Sequence, residues 1–471
     1  MKNSFKYVAL SPLLLGSACI NKVQPEKPNI IYIFTDQQSA SMMSCAGNNW
    51  LKTPAMDYIA ENGIRFTRAY AANPVCAPAR LSLMTGRFPG YFKDSKGNPV
   101  RENGAAMRIT EIPEEVRNTN LASWAKQADY ELVFGGKRHL SKPLDPETLG
   151  FNIISNDERD ELANSAARFI KKQHEKPYFM IVSLINPHDI CYMAIRDFAQ
   201  TESEQNIIKN GKKEVATLDQ ALKMPKNVSE EEFFAKYCPP VPPNYEPQED
   251  EPQAIQWLVN QRPFKKNARE KYTDEDWRRH RWAYCRLTEV VDRQIQTILN
   301  ALKESGQEEN TLIIFSSDHG DMDSSHRLEH KTVLYEESVN IPFMAMWKGK
   351  IPASKVDSIH LVSNSLDLLP TVSDYAGAKC VSDNRGRSLR PLFEGKNIEW
   401  RKSLGIESEI GRAVISDDNY KYIMYDVAGE EERLSDLNKD PYEKTHFTNL
   451  QDYTPILNTL RKSFNEWFPK Q

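Results

Sequence analysis

Cys76 opens the run Cys76-Ala77-Pro78-Ala79-Arg80, which closes at Thr85-Gly86-Arg87. Pro78 suits the first turn of a helix, where its missing N–H costs nothing, and Gly86 suits the left-handed position just past the end. The pattern predicts a helix with Cys76 at its N-terminus. Free backbone N–H groups and the helix dipole favour an anion there. Arg80, four residues on, shares that face. A sulfur nucleophile, or a group made from it, would then stand beside an anion-binding site. A buried core thiol is the competing reading, because Cys is among the most buried residue types.

Four apolar segments, 30–34, 132–134, 178–184 and 312–315, read as buried parallel strands. Polar and helix-patterned stretches separate them, with helices predicted over 54–62, 157–172, 277–302 and 365–376. Such alternation predicts a doubly wound α/β sheet, in which ligands bind outside the carboxyl ends of the strands. The strands run into Asp36-Gln37, Gly136-Lys137-Arg138-His139, Asn186-Pro187-His188 and Asp318-His319-Gly320-Asp321. Singly, an Asp-Gln pair reads as a turn, and a Lys-Arg-His run as a solvent-facing one. Four strands delivering carboxylate, lysine and histidine to one edge read as a site.

At 471 residues the chain is long enough for one large domain and a smaller one. Its net charge of −4 leaves no polybasic footprint, so nucleic acid and anionic membrane are not expected partners. Lys2 and Lys6 precede an apolar stretch, 7–15, and then Gly16-Ser17-Ala18-Cys19. This predicts an export signal over 1–22, with Cys19 a candidate for lipidation, although Gly16 stands where lipoprotein signals usually carry Leu. A periplasmic or lipid-anchored bacterial envelope protein is expected, without a transmembrane segment. Cys45, Cys191, Cys238, Cys285 and Cys380 are too scattered for a disulfide framework or zinc site.

Between His188 and Asp318 the sequence reads as a long, polar, irregular stretch, densest in proline over 237–252, and predicts a lid or binding wall. Near Lys402 the pattern changes to short strands over 414–416, 420–425 and 432–437, followed by a helix over 454–467. The expected division is 25–400 for the main domain and 401–471 for a C-terminal subdomain.

The Cys76–Arg80 run with Thr85-Gly86-Arg87 resembles the signature of the type I sulfatases, of the alkaline phosphatase-like superfamily, and in particular bacterial carbohydrate sulfatases. The resemblance extends from Pro28 to about Leu450. It implies a large mixed, mostly parallel sheet sandwiched by helices, with a smaller C-terminal antiparallel sheet plus helix. It also implies that a formylglycine-generating maturation enzyme converts Cys76 to Cα-formylglycine. Asp36, Gln37, Asp318 and His319, with residue 76, are then the expected ligands of Ca2+, with Mg2+ or Mn2+ as alternatives. Many members carry a second Asp in place of Gln37. His319 stands where the family has Asn or His, and is either a ligand or a sulfate contact.

By the same resemblance, Lys137 and Lys331 bind sulfate, Arg80 helps to neutralise it, and His139 contacts the formylglycine hydroxyl. His188 is the candidate general acid at the leaving oxygen. One hydroxyl of the hydrated aldehyde attacks sulfur, and the other then expels sulfate. The expected substrate is a sulfated saccharide, a glycosaminoglycan fragment first and a mucin-type glycan second. Arg138, Asp189, His280, His326 and Glu329 are candidates for reading the sugar. A phosphonate or phosphate-ester hydrolase using the same residue is the first alternative, and a catalytically silent glycan-binding surface lipoprotein the second.

Overall fold

The structure, a computed structural model, describes residues 27–379 and 385–469. The export signal over 1–22, Cys19 and Cys380 lie outside these residues.

Asn29–Asp36 is buried along its whole length at the centre of an eight-stranded sheet. It pairs in parallel with Tyr178–Pro187 on one side and Thr311–Ser317 on the other. Its unbroken apolar run follows from having both faces covered. Ile30, Tyr32 and Phe34 enter one core, while Ile31 and Ile33 enter the other. The helices Pro54–Glu61, Leu162–Ile170 and Asp274–Glu304 close the second core. The helices Cys76–Thr85 and Asn364–Ala376 contribute to the first. From one edge the strand order is Asn152–Ser155, Glu131–Gly136, Tyr178–Pro187, Asn29–Asp36, Thr311–Ser317, Phe343–Met346, Ile64–Phe66 and Lys355–Asp357. The strand Phe343–Met346 runs antiparallel to its neighbours, which makes the sheet mixed.

A separate four-stranded antiparallel sheet comprises Ser403–Ser408, Gly411–Ser416, Tyr420–Tyr425 and Glu431–Asp436 in sequential order. Val414, Tyr422 and Leu434 pack against Leu457 and Leu460 of the helix Thr454–Trp467. Ile406, Ala413, Ile415 and Ile423 face the main body, meeting Leu334 and Tyr335.

The predicted strands and helices are present, with shifted ends. The helix read over 157–172 begins at Leu162, because Asp157 turns back to accept the N–H groups of Arg159 and Asp160. The longest helix starts earlier than read, at Asp274, where Thr273 and Asp276 form a capping box.

The stretch after His188 corrects the sequence reading. It is mostly helical, through Tyr192–Phe198, Glu202–Asn210, Lys212–Ala221, Gln253–Asn260 and Pro263–Lys271. These helices are short and polar outside, so their apolar spacing was too brief to register. Residues 238–252 carry neither helix nor strand, but they are tied down rather than loose. Asn244 is buried and donates to Glu337 Oε1 at 2.7 Å and to the Tyr442 carbonyl at 3.0 Å. Among the described residues, no helix is long and apolar enough to cross a membrane.

Candidate active site

The helix Cys76–Thr85 begins where the central strands end. Gly86 closes it at φ +67°, with its N–H on the Ser82 carbonyl. At the other end, Asn103 Oδ1 accepts the Ala77 N–H at 3.1 Å. Gly136 stands at φ +96°, and a Cβ there would lie 2.1 Å from the Ser183 carbonyl. Only glycine fits, and the chain thereby turns Lys137 back over the strand ends. Lys137 Nζ meets Asp36 Oδ2 at 2.7 Å.

Cys76 Sγ lies 3.0 Å from Lys331 Nζ, 3.1 Å from His319 Nε2 and 3.5 Å from Asp36 Oδ1. Only 3% of Cys76 is exposed. Burial and the Asp36 carboxylate push its thiol up, but Lys331, Lys137 and His319 outweigh them and hold it well below the usual range. Asp36 is likewise held well below the usual carboxylate range, because the charges of Lys137, Arg80 and Lys331 overcome its burial. Asp318 is pushed up to about 6 by burial and by the charge of Asp36. Cations thus converge on position 76, where anionic oxygens would be stabilised.

Arg80 ties the site's two carboxylates to the backbone beneath them. It is 1% exposed, and its guanidinium is fully engaged beneath the site. Nε donates to Asp318 Oδ2 at 3.0 Å and Nη2 to Asp36 Oδ2 at 2.9 Å. Nη1 donates to the Lys137 carbonyl at 2.8 Å and to Ser183 Oγ at 2.7 Å. This planar fork clamps two carboxylates and the Lys137 backbone.

His139 and His188 are half-buried, and each has a buried Nδ1 with no hydrogen-bond partner among the described residues. Burial and the Lys137 ammonium hold His188 well below the ordinary histidine range. The Gln37 amide oxygen accepts from Lys331 at 2.6 Å and from Cys191 Sγ at 2.9 Å.

The residues expected to read a sugar all have neighbours within the chain to which they are paired or stacked. Asp189 is fully buried in an ion pair with Arg159 (2.8 Å). His280 is fully buried beside Asp323. His326 is buried and stacked on Tyr335, with ring centroids 4.2 Å apart. Glu329 is buried between Lys265 (3.2 Å) and His330 (2.6 Å). Arg138 is partly exposed but paired with Asp145 and Glu147. Their polar types look the same in sequence whether they face solvent or a buried partner.

Sequence reasoning missed Ser183, Asn103, Asp321 and Asn244, which buttress the site. Ser183 is hidden within an apolar strand, Asn103 opens the short helix Asn103–Met107, Asn244 lies in a loop, and Asp321 closes the Asp318–Asp321 run without a role of its own being read there.

Asp36, Cys76, Asp318 and His319 each offer a ligand atom, and these atoms all lie within 4.8 Å of one another. His319 Nδ1 pairs with the Gly320 carbonyl at 2.8 Å, which places the Nδ1 proton there and, in the neutral ring, leaves the Nε2 lone pair for a cation. The residues present therefore fit a divalent metal ion.

Comparison with known proteins agrees with this geometry. Residues 28–378 match the sulfatase family, and residues 324–469 match the family described as N-sulphoglucosamine sulphohydrolase, C-terminal. A Δ4,5-hexuronate-2-O-sulfatase of Bacteroides thetaiotaomicron is 26% identical, over 94% of this chain and 89% of the relative. A structure described as a 2-O GAG sulfatase superposes with a TM-score of 0.76 at 24% identity, covering 94% of this chain and 92% of the other. The phosphonate monoester hydrolase of Agrobacterium radiobacter superposes with a TM-score of 0.68 at 20% identity, covering 93% and 95%.

Proposed function

Because the chain belongs to the sulfatase family, we propose that it hydrolyses sulfate esters on a saccharide, with position 76 carrying the nucleophile. The observation that carries this reading is the convergence of Lys331, His319 and Asp36 on Cys76 Sγ, with Lys137 against Asp36.

Formylglycine made from Cys76 supplies, when present, a hydrated aldehyde with one oxygen to attack sulfur and another to release it. Asp36, Asp318, His319 and residue 76, with the neighbouring Gln37, would hold a hard divalent cation, Ca2+ first and Mg2+ or Mn2+ as alternatives, which would supply Lewis-acid stabilisation of the sulfate oxygens. The chain's own groups do the rest. Lys137 and Lys331 bind the sulfate as point charges from two sides. Arg80 orients Asp36 and Asp318 and favours their ionised forms. His188 resides neutral in the free site. A bound sulfate anion offsets the Lys137 and Lys331 charges that depress it, so it can carry the proton that the departing sugar oxygen needs. His139 stands as the second proton carrier.

The likeness to a hexuronate-2-O-sulfatase supports a sulfated glycan, with a glycosaminoglycan fragment carrying a uronate 2-O-sulfate as first choice and a mucin-type glycan second. The leader read in the sequence supports action at the bacterial envelope. The likeness to a phosphonate monoester hydrolase favours one second reading, cleavage of phosphonate or phosphate esters at the same site. Release of sulfate from a panel of defined sulfated saccharides, beside phosphate and phosphonate monoesters, tests the choice. The proposal expects the highest kcat/KM on a sulfated saccharide, and a preference for the phosphorus esters would reverse it.

A further inference from the structure

Asp321 takes no part in the chemistry above, yet it lies one hydrogen bond from it. Both Asp321 and Gln37 are wholly buried. Gln37 Nε2 donates to Asp321 Oδ2 at 2.6 Å, while Gln37 Oε1 accepts from Lys331 Nζ at 2.6 Å. The same ammonium lies 3.0 Å from Cys76 Sγ. The other Asp321 oxygen accepts the Asp323 N–H at 2.7 Å, which anchors the carboxylate in its loop.

An amide side chain has one accepting end and one donating end, and rotating it by half a turn exchanges them. Here the wrong orientation would point –NH2 at the Lys331 ammonium. Asp321 Oδ2 accepts from the –NH2 end, which leaves the amide oxygen facing Lys331. We propose that Asp321 is a positioning residue, which fixes the Gln37 amide so that its oxygen holds Lys331 against residue 76. The proposal rests on the sulfatase reading for its consequence, because Lys331 then holds sulfate.

The test reverses the polarity of the link without changing its shape. In Asp321→Asn, Oδ1 still accepts the Asp323 N–H, but an –NH2 now faces Gln37. Either two donors oppose each other, or Gln37 rotates and turns its –NH2 on Lys331. In Gln37→Glu, two carboxylates face each other. In the double variant Q37E/D321N, the new carboxylate at position 37 accepts from the new amide at position 321 and from Lys331. The chain of hydrogen bonds is then whole again.

Steady-state sulfate release is measured on the four metal-loaded, matured proteins, and inorganic sulfate binding by calorimetry on the same set. Each single variant is expected to lose about ten- to a hundredfold in kcat/KM, the scale of one hydrogen bond to a charged group. The double variant is expected to recover to within about threefold of the parent. Sulfate affinity should follow the same order, with melting midpoints staying within about 3 °C of one another.

A double variant no better than D321N, or either single variant as active as the parent, overturns the proposal. A fully active Q37E would make residue 37 a plain oxygen donor. Should D321N alone fail to fold, Q37E against the double variant still decides. A parent that turns over no sulfate ester refutes the functional reading instead, and the sulfate-binding order then judges the role of Asp321 by itself.

Discussion

Arg80→Lys keeps the positive charge and removes the fork. The guanidinium makes four charge-assisted contacts, to Asp318, Asp36, the Lys137 carbonyl and Ser183. A lysine ammonium, shorter and unforked, can keep at most two of these. Losing two buried hydrogen bonds to charged partners costs about 3–5 kcal/mol, in line with breaking a buried ion pair. With an unfolding entropy of ~2 cal/mol/K per residue, a chain of this length carries ~1 kcal/mol/K, so the melting midpoint should fall by about 3–5 °C. The two carboxylates also lose their common anchor, and kcat/KM should fall by at least about a hundredfold. Differential scanning calorimetry and sulfate release measured by ion chromatography supply the two numbers. An Arg80 that merely touched sulfate would change KM and leave the melting midpoint alone. An R80K protein with unchanged stability and turnover would refute the clamp.

Protein produced without maturation should carry a Cys76 thiolate near neutral pH when stripped of metal. Its depressed pKa contributes stability that is fully present above the unfolded thiol value and is lost as the pH falls through the folded one. Ultraviolet thiolate absorbance should be present at neutral pH, vanish in Cys76→Ala and shift to higher pH in Lys331→Met; a thiol that titrates in its ordinary range would contradict this electrostatic account. Asn244→Ala should take its amide donor from the half-buried Glu337, at a cost of about 1–2 kcal/mol, and loosen the loop that carries Lys331. Hydrogen exchange over 322–332 should then quicken and kcat/KM fall, whereas unchanged exchange would show that the proline-rich segment bears no load.

The central strands and the helix at Cys76 were legible because their patterns are local. A run such as Ile30–Ile33 must be buried on both faces, and Pro78 and Gly86 punctuate one helix. The four strand ends converged on the site because sheet topology sends them to one edge. What the sequence does not show is nonlocal. Asp189, Glu329 and His326 have the composition of substrate contacts, and only the fold reveals Arg159, Lys265 and Tyr335 as their partners. The loop around Lys331 holds Asp323, Ser324, His326, Arg327, His330 and Thr332 at positive φ. None of these is glycine, so no sequence signal marks the turn. Each such residue costs on the order of 1 kcal/mol or more unless its surroundings enforce it. Asn244 supplies part of that enforcement: its carbonyl accepts the His326 N–H at 2.6 Å, from a position 82 residues earlier in the chain. The short helices over 192–271 were missed for a different reason: each buries only a narrow stripe, too brief for its period to emerge.

The most direct test of the account is sulfate release from a sulfated saccharide by the matured protein and by its Cys76→Ala variant, with peptide mass spectrometry at position 76 and melting midpoints on both. The account predicts formylglycine and turnover in the parent, neither in the variant, and closely similar melting. Turnover that survives Cys76→Ala in a folded protein would contradict it.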